Sequence, residues 1–127
     1  MLMLAVRLGI VIFAHGSSVP SANDAVRTVS NEVAKAGGYQ LIETAFLEAR
    51  PSLEDAVVQL ASRGAARILV IPYFLTLGIH LQRDLPLLIQ QLEQTNPTVH
   101  ITVAPPLDGH PCLADIVLDR IETALQE

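Results

Sequence analysis

Hydrophobic and polar residues alternate along the chain in two rhythms that take turns. Short unbroken apolar runs, Leu8–Ala14 and Ile68–Ile71 foremost, have the length and branching of strands buried on both faces of a parallel sheet. Between them, apolar residues recur every three and four positions, as on one face of a helix. Ala22, Val26, Val29, Val33 and Ala36 make such a stripe, and Gly37-Gly38 stops it. Leu53, Ala56, Val57, Leu60 and Ala61 make a second, and Leu85, Leu88, Ile89 and Leu92 a third.

Four strand-plus-helix units follow, with no linker or low-complexity segment between them. The first is strand Leu8–Ala14, loop His15–Pro20 and a helix to about Ala36. The second is strand Gln40–Leu47 and a helix Ser52–Arg63 ended by Gly64, in which Ser52 and Asp55 have the spacing of a capping box. The third runs from Ile68 through Pro72, expected to limit further pairing, and a loop Leu75–Arg83 into a helix that stops before Asn96-Pro97. The fourth is strand Val99–Val103, the Pro105-Pro106 turn and a helix Pro111–Leu125, with proline at the first helical position. Strands alternating with crossover helices predict an α/β domain of three layers: a four-stranded parallel sheet with helices on both faces. Strand order 2-1-3-4 is expected, with the switch point between strands one and three.

The 127 residues suit a single domain spanning 1–127, and half of them are hydrophobic. Net charge is −5 and Lys35 is the only lysine, which argues against a nucleic-acid partner, since counterion release needs a basic face. The single cysteine, Cys112, forms no internal disulfide and supplies no Cys-based zinc site; it is expected as a small core residue in a cytoplasmic protein. Arg7 interrupts the apolar N-terminus where a signal peptide would not, Met1–Ala5 is expected as a ragged lead-in, and no apolar run is long enough to span a membrane.

Ligands of open α/β sheets collect at the carboxyl ends of the strands. Two histidines fall there: His15 directly after the first strand, and His80 in the loop after the third. Imidazole binds cobalt, nickel, iron and zinc, and accepts a proton near neutral pH. Each histidine alone has an ordinary reading as a loop or capping residue; together on one rim they suggest a shared cleft. His15-Gly16 also resembles the opening of histidine phosphatases, but Ala14 stands where those enzymes carry an arginine. Gly16-Ser17-Ser18 lacks the Gly-x-Ser-x-Gly form of a hydrolase elbow, and before a helix it offers backbone amides to an anion.

Four segments in order, AHGSSVPSAN, AFLEARPSLEDAV, RILVIPYFLTLGIHLQRDLP and APPLDGHPCLADIVLDR, resemble the short single-domain sirohydrochlorin cobaltochelatases of the CbiX class, and relatives that insert iron or nickel. The most specific part is Phe-Leu-x-x-Gly-x-His followed by Arg-Asp-Leu-Pro. The resemblance covers nearly the whole chain. It implies a chelatase-type lyase that inserts Co2+, or Fe2+ or Ni2+, into the tetrapyrrole sirohydrochlorin for cobalamin or sirohaem synthesis. It implies a homodimer and no tightly bound cofactor, the metal being a substrate. His15 would be metal ligand and proton acceptor, and His80 the other ligand. Leu75, Thr76, Leu77, Gly78 and Ile79 would line the macrocycle with His80, and Arg50 would touch substrate. Glu48 matches a catalytic glutamate of related chelatases, although Glu48–Pro51 looks one residue shorter than in many relatives, a shift of the kind that turns a side chain out of a cleft. His110 is expected to pack or cap at the last helix, His100 to be structural or exposed, and Asp84 to cap the third helix, with orientation of His80 as its other reading. The alternatives are a non-catalytic metal-binding module of the same fold and, further off, a phosphoryl-transfer enzyme.

Overall fold

A computed structural model describes residues 7–126; the expected lead-in Met1–Ala5 lies outside them. Strands β1 (Leu8–Ala14), β2 (Ile42–Phe46), β3 (Arg67–Tyr73) and β4 (His100–Val103) alternate with helices α1 (Pro20–Gly37), α2 (Leu53–Ser62), α3 (Ile79–Thr95) and α4 (Cys112–Leu125). All strand pairs are parallel, in the order β2-β1-β3-β4. No helix among the described residues is long and apolar enough to cross a membrane.

Alternation along the strands sorts the two sheet faces. Val11, Phe13, Ala45, Ile68, Val70 and Ile101 form one buried core with Leu53, Ala56, Val57 and Leu60 of α2 and Leu85, Ile89 and Leu92 of α3. The opposite face carries α1 over β2. Thr44 donates to the buried Ser30 hydroxyl at 2.7 Å, and the Arg27 guanidinium lies 5.2 Å from the centre of the Phe46 ring.

This second face departs from expectation. The run Ile68–Ile71 is not doubly buried: Ile68 and Val70 are, but Leu69, Ile71 and Tyr73, which point the other way, are only half-buried. The α1 stripe is shallow too, with Val26, Val29 and Val33 half-buried and Ala22 and Ala36 exposed. No residue of α4 is buried, and Cys112, expected in the core, is exposed. The chain's own fourth helix does not complete the third layer, so residues that composition alone would send inside remain accessible.

Other corrections are local. Helix α3 begins at Ile79, capped by Gly78, rather than after Arg83. His80 therefore sits in its first turn, and Asp84 lies too far inside the helix to cap it. Pro86 is inside α3, forgoing one helical hydrogen bond. Pro72 lies within β3, beyond the last β3–β4 pair at Val70 and Val103, so its missing N–H interrupts no ladder on that side.

The capping box at α2 forms as read. Asp55 N–H donates to the Ser52 hydroxyl at 3.1 Å, and Ser52 N–H donates to the Asp55 carboxylate at 2.9 Å. That backbone bond leads the interactions that hold the Asp55 carboxyl below its ordinary value, outweighing partial desolvation; the Ser52 hydroxyl and Arg50 contribute further. Replacing Ser52 with alanine removes one cap bond and should lower stability by ~1 kcal/mol in urea unfolding at neutral pH. Because the folded-state value of Asp55 is depressed, its contribution is present above the ordinary carboxylate range and lost as pH falls through the folded value. The difference between wild type and Asp55→Asn should therefore shrink on acidification; a difference that grows would overturn the assignment.

Candidate functional site

The register of the two central strands sets the site. Ala14 of β1 lies beside Tyr73 of β3, so the residues that follow leave the sheet together at its carboxyl rim. A cleft of about 470 Å³ opens there, lined by His15 and His80 and walled by Leu47, Phe74, Ile79 and Leu81. Phe74 is held by an edge-on contact with Phe13, ring centres 5.8 Å apart. The two expected imidazoles thus border one cavity, one from the loop after β1 and the other from the first turn of α3.

His15 is fixed by its loop. Gly16 takes φ +88°, and an added Cβ would stand 3.0 Å from the Phe46 Cβ and 3.1 Å from that of Ala49. Only glycine fits both the left-handed backbone and that close approach. Beyond it, Asn23 clamps Ser17 from two sides, accepting from its N–H at 2.9 Å and donating to its carbonyl at 2.8 Å. Val19 N–H donates to the Ser17 hydroxyl at 3.0 Å. One amide of the suggested anion cradle, that of Ser17, and the next one along, that of Val19, are therefore already engaged by the protein itself. The clamp residue Asn23 was not singled out from sequence; its signal is an amide side chain in the first turn of a helix that follows a serine-rich loop.

The rings of His15 and His80 face different neighbours. His15 Nδ1 lies 3.1 Å from the Gly16 carbonyl, which only accepts, so in the bonded state Nδ1 carries the proton. In the neutral ring, Nε2 then holds the lone pair, and the Glu48 carboxylate lies 3.4 Å from it. Glu48 is thus turned toward His15 rather than away, because Leu47 N–H donates to the Ala14 carbonyl and Glu48 N–H to that of His15, extending the β1–β2 pairing past the strand ends. At His80, the Arg83 guanidinium lies 3.2 Å from Nδ1. Since guanidinium only donates, that nitrogen accepts. Arg83 also reaches Asp84 at 3.2 Å. No cluster of three or more His, Cys, Asp or Glu in metal-holding geometry occurs among the described residues; His15, His80 and Asp84 line the cleft, and Glu48 lies beside His15.

Of the other expected residues, Thr76, Gly78 and Ile79 line this cleft. Leu77 lines a separate groove of about 510 Å³ between α3 and β4, and Leu75 projects into solvent. Arg50 lies in an adjoining depression of about 430 Å³, which shares Leu47 and Leu88 with the histidine cleft. Its guanidinium pairs with Asp55 at 2.9 Å and is otherwise exposed, and the Arg50–Pro51 peptide is cis. His110 accepts from Cys112 N–H at 3.1 Å and so caps the start of α4, as expected. His100 is exposed beside Glu93, whose carboxylate also accepts from Ile101 N–H at 2.9 Å. Leu47, Phe74 and Leu81 were not foreseen as cleft walls, because an apolar residue at a strand end reads the same whether it faces core or cavity.

Fold and cleft define a class, the three-layer α/β domains that carry imidazoles at the carboxyl rim of a parallel sheet. The CbiX family model matches residues 9–124. The sirohydrochlorin cobaltochelatase of Methanopyrus kandleri is 28% identical, across 94% of this chain and 99% of its own. That of Sulfurisphaera tokodaii is 32% identical, across 93% and 94%. The chloroplastic sirohydrochlorin ferrochelatase of Arabidopsis thaliana is 33% identical over 92% of this chain but 52% of its own length. Among solved structures, a cobalamin-biosynthesis CbiX protein of Marinobacter aquaeolei superposes with a TM-score of 0.80 at 28% identity, covering 94% of this chain and 98% of that one. The sirohydrochlorin chelatase SirB of Bacillus subtilis, in complex with cobalt, gives 0.71 at 25% identity over 79% and 43%. The chain belongs to the CbiX family.

Gly16→Ala should destabilise the fold by roughly 1–2 kcal/mol from the left-handed backbone alone, with the Phe46 contact adding to it. Urea unfolding measures this; an unchanged midpoint would show that the loop rearranges freely and does not fix His15.

Proposed function

We propose that the chain is a lyase that inserts a divalent metal into sirohydrochlorin, with Co2+ as the metal and Fe2+ and Ni2+ as the alternatives. The supporting observation is that His15 and His80, remote in sequence, border one cleft whose other walls are mostly apolar, Thr76 and Asp84 excepted. Flat apolar walls suit a macrocycle face, and neutral imidazoles suit a borderline divalent ion. The likeness to cobaltochelatases and to a ferrochelatase supports the reaction class.

The geometry suggests an order of events. The macrocycle enters against Phe74, Ile79 and Leu81, with Thr76 and Gly78 along its edge. The metal is taken as substrate between His15 and His80. As the ion leaves His15 Nε2 for the ring nitrogens, the freed lone pair takes a pyrrole N–H proton, with Glu48 beside it to stabilise the cationic ring. His15 returns that proton to solvent, and the second pyrrole proton leaves by the same route. No tightly bound cofactor takes part. In an acidic protein, the peripheral carboxylates of the macrocycle need local positive charge, which Arg83 and Arg50 supply at the cleft and its neighbour. Arg83 has a second effect. While it donates to His80 it occupies a lone pair that a metal needs, so a substrate carboxylate that draws Arg83 away frees the ligand. One chain offers one side of the cleft, and a homodimer is the working assembly we assign.

His15→Ala and His80→Ala should each abolish insertion in an anaerobic absorbance assay while far-UV circular dichroism stays unchanged; near-normal rates in either variant remove that ligand. Running the assay with Co2+, Ni2+ and Fe2+ in parallel identifies the preferred ion, and metal binding without insertion would favour the non-catalytic module. Arg50→Ala should raise KM for sirohydrochlorin with little change in kcat, and an unchanged KM excludes Arg50 from the substrate site. Arg83→Ala should also raise that KM, yet tighten Co2+ binding to the macrocycle-free protein in calorimetry; weaker Co2+ binding would sink the competition with His80.

A further inference from the structure

Each imidazole of the cleft has a carboxylate for a neighbour. Glu48 lies beside His15, and Asp84 follows His80 one turn further along α3. His80 and Asp84 are four residues apart and so share one face of that helix, a spacing that brings their Cβ atoms to about 5–6 Å. Both line the cleft.

One guanidinium spans the two side chains. Arg83 donates from Nη2 to His80 Nδ1 at 3.2 Å and from Nε to the Asp84 carboxylate at 3.2 Å. The imidazole lone pair and the carboxylate oxygen therefore face a common space, and a cation already fills it. One nitrogen and one oxygen make a donor pair that suits borderline divalent ions such as Co2+ and Ni2+.

Charge points the same way. His80 lies in the first turn of α3, where the helix presents its partial positive charge, and that turn contains no acidic residue. A doubly charged ion on a neutral imidazole meets an unfavourable field there. The Asp84 carboxylate, within chelating reach of His80, offsets that field once Arg83 has moved aside. Arg83 is free to move: its side chain is 68% exposed and that of Asp84 61%, so solvent screens their ion pair.

The number of ligands fits an ion in transit. Resident metal sites are built from three or four protein ligands, and no group of three or more His, Cys, Asp or Glu poised for a metal occurs among the described residues. Two ligands from one helix, with water completing the shell, hold an ion and still let it go.

We propose that His80 Nδ1 and the Asp84 carboxylate form a loading site for the divalent ion, filled by the Arg83 guanidinium until the ion displaces it. His80 then keeps the ion while its second ligand changes from Asp84 to His15. The loading site stands on the geometry of α3; the hand-over to His15 rests on the chelatase reading.

Calorimetry with Co2+ alone, on the macrocycle-free protein, reads the loading site without insertion, so its failure is separate from that of the chelatase reading, which the insertion assay decides. The starting point is the double variant His15→Ala with Arg83→Ala, which removes the later ligand and the competing guanidinium; far-UV circular dichroism checks that each variant is folded. This protein should bind Co2+, and adding His80→Ala should remove that binding. Adding Asp84→Asn instead should weaken it by about tenfold or more. Co2+ binding that is indifferent to His80 overturns the proposal. So does binding that Asp84→Asn leaves unchanged, which means that Asp84 acts only by holding Arg83. In the insertion assay, Asp84→Asn in the otherwise intact protein should raise KM for Co2+ with little change in KM for sirohydrochlorin; an unchanged KM for Co2+ overturns the hand-over.

Discussion

Everything at the rim depends on the hydrogen-bonded register between β1 and β3. These two strands occupy the middle of the sheet, and their pairing runs the full length of both, from Leu8 beside Arg67 to Ala14 beside Tyr73. A parallel ladder leaves no freedom in where its strands end relative to one another. Once Ala14 and Tyr73 are level, the chain that follows each emerges at the same height. The loop with His15 and the turn into His80 then open onto common space. A slip of one residue would exchange the faces of every side chain on one strand, moving Phe13 and Val11 out of the core they share with α2 and α3. The core therefore protects the site: the same contacts that stabilise the domain hold two distant imidazoles on one cleft.

Much of this was legible in the sequence because strand and helix periods differ so clearly. The runs at Leu8–Ala14 and Ile68–Ile71 and the stripes of α2 and α3 carry their own signatures; the strand order was a choice among those that crossover connections allow, and the sheet adopts it. Ser52 and Asp55 announced a cap that formed atom for atom. What the sequence could not convey was which apolar residues would find a partner. Ile71 and Val70 are equivalent as letters, yet one is buried under α3 and the other waits half-covered, because coverage is decided by where a helix lands. Cys112 failed for the same reason. The start of α3 was misjudged because Arg83-Asp84 before Leu85-Pro86 looks like a helix entry, whereas Gly78 already caps the turn that holds His80. Glu48 was ambiguous for a loop-length reason that backbone bonds from Leu47 and Glu48 to the β1 end resolve.

The proposed chemistry and this framework meet in the contrast between the two histidines. His15 has a carboxylate at one nitrogen and a carbonyl acceptor at the other. His80 has a guanidinium at Nδ1, which favours a lone pair held in waiting. In the proposed mechanism these different neighbours suit one imidazole to taking up a proton and the other to holding a cation.

Asp55 illustrates how such a protein keeps a cation at its mouth without tying it down. The carboxylate is anchored by the Ser52 amide and would remain satisfied if Arg50 swung away, since the guanidinium adds only an exposed, solvent-screened ion pair. Arg50 is therefore parked rather than locked. An arriving anion has merely to outbid a weak tether, and the helix beneath keeps its shape whether the arm is home or reaching outward.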